Sequence, residues 1–82
     1  MQDNIKQIVS DILDIPRERI TVSMEMQNTP EWDSLRHMQI VLAVEQNFGI
    51  GPLSAEEIVA MTRFVNILSI VDSHLGNGSD PS

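Results

Sequence analysis

Ser34, His37 and His74, with carboxylates scattered around them, are the side chains of this chain whose types could do chemistry. A hydrolase built on Ser34 would need a histidine to take its proton and an acid to orient that histidine. His37 lies three positions further along the same predicted helix and could approach, but no acid is evidently placed to orient it. His37 and His74 fall on different predicted helices, and neither has the i, i+4 partner of a helical metal site, so both read as solvated or lightly packed. Glu56 and Glu57 are adjacent, which on a helix points them in different directions instead of pairing them for acid and base work. No phosphate-cradling glycine loop or nucleophile elbow occurs. The expectation is a protein that is not an enzyme and binds no metal.

Ser34 suits a different chemistry. Asp33 is a strong N-cap residue, its carboxylate able to accept a backbone N–H from the first turn while its charge faces the positive end of the helix dipole. Ser34 then occupies that first turn with its hydroxyl toward water, where unsatisfied N–H groups and the dipole both favour an attached phosphate.

Something must hold that turn in place. At 82 residues the chain suits one small domain with a single core, and with no cysteine neither disulfides nor a thiolate metal site can support it. Helix packing has to suffice. The formal charge of −7 repels nucleic acid phosphates and anionic head groups, so basic protein partners are expected and nucleic acid is not. No stretch approaches the roughly 20 apolar residues of a membrane span. The first residues also lack the order of a secretory signal, so a cytoplasmic location and no membrane insertion are expected.

Ile5, Ile8, Val9, Ile12 and Leu13 share one face of a first helix, and Pro16 ends it near Asp14. Residues 15 to 32 show no sustained period and read as a long, partly packed loop onto which Ile20, Val22, Met24 and Met26 contribute core side chains. The run from Leu35 to Phe48 is the central helix, stopped by Gly49. Ser54 and Glu57 form a capping-box pattern for a short helix from Ala55 to about Ala60. Thr62 can cap a last helix whose face is Phe64, Ile67, Leu68, Val71 and Leu75. The reading is all-α: an irregular four-helix bundle, three main helices and one short, with a long first loop. It spans residues 1–76, and 77–82 form a flexible polar tail.

Nearly the whole chain resembles the acyl carrier proteins, through Asp33-Ser34-Leu35, then Ala43 to Ile50 (AVEQNFGI), then Leu53 to Ile58 (LSAEEI). The resemblance implies that Ser34 carries a 4′-phosphopantetheine arm through a phosphodiester, with acyl or aminoacyl groups held as thioesters on its terminal thiol. It also implies that Asp33 helps hold a metal ion in the complex with the phosphopantetheinyl transferase, and that Leu35, Arg36 and Met38 meet partners. Glu45, Glu56, Glu57 and Ile58 complete the implied recognition surface, although acids of this kind often form only a solvated face. The expected partners are the transferase and acyl-loading and acyl-processing enzymes, bound transiently by a monomer. A hydrophobic cargo would find shelter among the Met-rich and Ile-rich faces, since methionine adapts to irregular shapes.

The chain departs from the pattern of fatty-acid carriers at five residues. Trp32 stands where glycine or alanine is common, and is expected to clamp the loop to the bundle or to shield the base of the arm. Arg36 puts a cation in the first turn, where the dipole disfavours it. His37 follows it, and Gln39 and Gln46 stand where acids are frequent. These departures point to a specialised carrier, serving secondary-metabolite, aminoacyl or surface-polymer synthesis. The competing reading is a carrier-like helical adaptor that is never modified.

Overall fold

The computed structural model describes residues 2–76, so the tail assigned to residues 77–82 lies outside the described residues. The chain is all-helical, with α1 at Gln2–Leu13, α2 at Ser34–Phe48, α3 at Ala55–Ala60 and α4 at Phe64–His74. Among the described residues there is no strand, only an isolated antiparallel bridge between Glu25 and Arg63.

In α1, Ile5, Val9 and Leu13 are buried and Ile8 and Ile12 pack against the same core. The helix stops because Asp14 turns left-handed at φ 58°, an orientation that Asp tolerates better than most residues. Ser10, on the polar side of the sequence pattern, is buried after all. Its hydroxyl donates to the Ile15 carbonyl at 2.6 Å and its own carbonyl accepts the Ile15 N–H at 3.2 Å, which folds the chain back ahead of Pro16.

The loop that follows is more ordered than its lack of periodicity suggested. It contains 3₁₀ turns at Arg17–Arg19 and Met26–Asn28, and it buries Ile20, Met24, Thr29 and Trp32. Val22, expected to join the core, is exposed. The loop is stitched to the connection between α3 and α4: the Met26 N–H donates to the Thr62 carbonyl at 2.8 Å and the Phe64 N–H to the Met24 carbonyl at 2.9 Å.

That stitching corrects the reading of Thr62. The N-cap of α4 is Arg63, without a side-chain cap bond, while the Thr62 hydroxyl donates backwards to the Val59 carbonyl at 2.8 Å. The N–H of Phe64, at the start of α4, finds its acceptor in the loop and so needs no capping hydroxyl. Leu75, expected on the buried face, is largely exposed, and the core side of α4 is Phe64, Ile67 and Val71.

The core gathers Ile40, Val41 and Val44 of α2 against these residues of α1 and α4, with Trp32, Leu53 and Met61 closing it from the connections. Gly49, left-handed at φ 64°, ends α2 and returns its N–H to the Glu45 carbonyl.

Candidate functional site

Ser34 is the first residue of α2 and is exposed. The Asp33 Oδ1 accepts the Arg36 N–H at 2.8 Å, the capping bond expected of it. Its other oxygen meets Arg36 Nη1 at 3.1 Å. This pair accounts for a cation in the first turn, because the carboxylate that caps the helix also offsets the guanidinium. Both side chains are near half-exposed, so water and salt screen the pair and it adds little to stability. Beside Ser34, Leu35 is 70% exposed and Met38 43%. Leu42, two turns from Ser34 on α2, and Val59 of α3 are also exposed, so four apolar side chains of these two helices face solvent.

The acids proposed for recognition divide into two kinds. Glu56 is exposed. Glu45 is half-buried and its Oε2 accepts the Leu53 N–H at 3.0 Å, pinning the turn that leads into α3. Gly51 is needed in that turn: it is left-handed at φ 103°, and a Cβ there would sit 3.0 Å from the Glu45 side chain. Glu57 completes the capping box, with its Oε1 accepting the Ser54 N–H at 2.8 Å and the Ser54 hydroxyl accepting the Glu57 N–H at 3.1 Å. Its Oε2 lies 2.6 Å from His74 Nε2, tying α3 to α4.

The Ser54 N–H first, and then His74, hold the Glu57 carboxyl below the usual carboxylate range. A carboxyl lowered by folding stabilises the native state above the ordinary range, and that contribution fades as pH falls through the lowered value. Glu31, lowered by a backbone N–H and by Arg19, acts in the same direction. On acidification from neutrality to about pH 3, the denaturant midpoint should therefore fall less in Glu57→Gln than in the parent. Equal falls would show that the capping box and His74 do not couple to this carboxyl.

His37 is where the structure departs furthest from the sequence reading. It is only 6% exposed, and Trp32 beside it 2%. Trp32 Nε1 donates to His37 Nδ1 at 3.1 Å, and His37 Nε2 lies 2.7 Å from the Ile58 carbonyl of α3. An indole N–H can only donate, so Nδ1 must be the acceptor and the ring proton resides on Nε2, shared with the carbonyl. Both ring nitrogens are therefore occupied, and neither is free to take a proton from Ser34. His74 is engaged by Glu57. The bonds of Trp32 and His37 connect the loop, α2 and α3 near Ser34, and leave His37 no free nitrogen to serve that hydroxyl as a base. Among the described residues no group of three or more His, Cys, Asp or Glu side chains could hold a metal ion, and no helix is long and apolar enough to cross a membrane.

No protein-family model matches the chain. Two curated relatives do. An acyl carrier protein of Azobacteroides pseudotrichonymphae is 18% identical over 82 residues, spanning 100% of this chain and 96% of the relative. An acyl carrier protein of Coprothermobacter proteolyticus is 30% identical over 71 residues, spanning 87% of this chain and 85% of the relative. On that likeness over most of both chains, and with its all-helical fold, this chain belongs to the acyl carrier protein family.

Proposed function

We propose that Ser34 is the attachment residue for 4′-phosphopantetheine and that the chain is a carrier of acyl or aminoacyl intermediates in a specialised biosynthetic pathway. The observation that carries this reading is the exposed Ser34 at the head of α2 with Asp33 already capping the helix. The residues fit the group. A phosphodiester on that oxygen lies beside the first-turn N–H groups that no helical carbonyl can satisfy, in the favourable field of the dipole. Asp33 keeps the turn formed whether or not the serine is modified, since its bond is to the Arg36 N–H and not to the hydroxyl. When bound, the arm supplies a terminal thiol that holds cargo as a thioester.

The chain's own residues then position and display. α2 gives the attachment point a rigid base, and the exposed Leu35, Met38 and Leu42 of α2 and Val59 of α3 offer apolar contact to a partner. Arg36 supplies a cation whose partner Asp33 is itself at the surface, so an incoming acid can compete for it. Glu56 and Ile58 complete the surface on α3, and transient binding by a cytoplasmic monomer suits cargo that has to move on. The neutralised first turn, together with Gln39 and Gln46 in place of acids, favours enzymes other than those of housekeeping fatty-acid synthesis.

Incubation of the chain with CoA and a broad-specificity phosphopantetheinyl transferase tests the assignment. The intact mass is expected to rise by one phosphopantetheinyl group, with fragmentation placing the gain on Ser34. An unchanged mass would make the chain an unmodified adaptor. Efficient elongation on the loaded protein by a housekeeping fatty-acid synthase would overturn the specialised pathway alone.

A further inference from the structure

α3 has no fully buried residue and packs on the core through the partly buried Ile58, with the buried Leu53 and Met61 on either side of it. Polar contacts add to this hold. Asn66 Nδ2 donates to the Ala60 carbonyl at 2.9 Å, His74 engages Glu57, and His37 engages the Ile58 carbonyl. The last of these lies closest to Ser34, one helical turn along α2, and it joins the two helices whose separation would open the core beneath the serine. Behind it Trp32 fills the end of the bundle and fixes the imidazole from the other side. The side chains beyond, Ile40, Val44, Met61, Phe64 and Ile67, are all fully buried.

We infer that Trp32 and His37 close the α2–α3 seam against the cargo, so that this carrier displays a short or polar acyl group, aminoacyl groups included, in solvent. The inference rests on Ser34 as the attachment residue. To admit a long alkyl chain, α3 would have to leave α2. The His37 ring and the Ile58 carbonyl would then lose each other in surroundings that offer an alkyl chain and no donor or acceptor in exchange. Protein interiors are packed too densely for the chain to enter without such a movement. A short or charged cargo requires none of this, because water satisfies it outside. Trp32 and His37 are thus positioning residues that set cargo class, and they account for two of the departures from the fatty-acid pattern.

The test uses the full chain converted to its phosphopantetheinyl form and loaded with acetyl or octanoyl groups. Methyl resonances of Ile40, Val44 and Ile67 are expected to coincide in the two loaded forms. The octanoyl thioester should hydrolyse within about twofold of the rate of free octanoyl-pantetheine, since nothing shields it from water. Core methyl shifts specific to octanoyl, or hydrolysis slowed by about tenfold or more, would overturn the inference. His37→Ala removes the seam bond and opens space behind it, and in the folded variant the octanoyl form should gain the protection that the parent lacks. A folded His37→Ala protein with an equally labile thioester would remove His37 from this role. The parent comparison stands even where that variant fails to fold. Absence of any mass gain at the first step would instead refute the attachment site, and the two failures are told apart before cargo is loaded.

Discussion

Ser34→Ala is expected to keep its mass unchanged under conditions that convert the parent protein completely. The effect is total because a phosphodiester needs an oxygen on the side chain, and alanine provides none. Loss of folding does not offer an escape from the test. The Ser34 hydroxyl is exposed, the capping bond belongs to Asp33 and the Arg36 N–H, and alanine is the best helix former. Its thermal transition should therefore stay within about 0.5 kcal/mol of the parent's, as for surface substitutions generally. A mass gain that persists in Ser34→Ala would move the attachment elsewhere and remove the basis for the site. Circular dichroism on the same sample checks that the negative result comes from a folded protein.

Trp32→Ala carries the largest expected cost to the fold. Truncating a buried aromatic side chain removes its transfer free energy and leaves a cavity, together about 3–5 kcal/mol. The change also strips His37 Nδ1 of its donor in a buried site. A domain of this size has a total stability of roughly 5–10 kcal/mol, so the variant loses a large share of it. At about 4–8 °C per kcal/mol, its melting temperature should fall by more than about 10 °C. Trp32→Phe separates the two contributions. It retains most of the ring volume and loses the indole N–H, which should cost about 1–3 kcal/mol. Melting by circular dichroism decides the matter: a Trp32→Ala transition within about 1 kcal/mol of the parent's would mean that the loop is not held through this residue.

The helices were legible in the sequence from different signals, a shared apolar face in α1 and α4, an unbroken apolar run in α2 and a capping box in α3. Ser54 with Glu57 located α3 at Ala55–Ala60, and Asp33 and Gly49 bracketed α2. The loop was harder to read, because what orders it is not periodic. Its backbone bonds run from Met24 and Met26 to Phe64 and Thr62, residues far along the chain, and the same bonds displaced Thr62 from its expected capping role. His37 was misread for a related reason. A lone histidine on an amphipathic helix gives no sign of a carbonyl 21 positions away, nor of an indole arriving from an irregular segment. Trp32 in place of a small residue was the available signal, and its expected role as a clamp on the loop agrees with its burial and its bond to His37. Asp33 alone marked Ser34 as the start of a helix, and its reading as an attachment residue needed the resemblance along nearly the whole chain. The fate of Glu45 and Glu57, turned to pin α3, depended on a fold that local spacing does not encode.

The chain contains no tyrosine and a single tryptophan, and that indole touches an imidazole at the joint between loop and bundle. Ultraviolet emission from this protein therefore originates at one known point. Anything that disturbs the joint, whether a docking enzyme, an acid titration or a tethered substrate, registers in its colour and lifetime without any added dye.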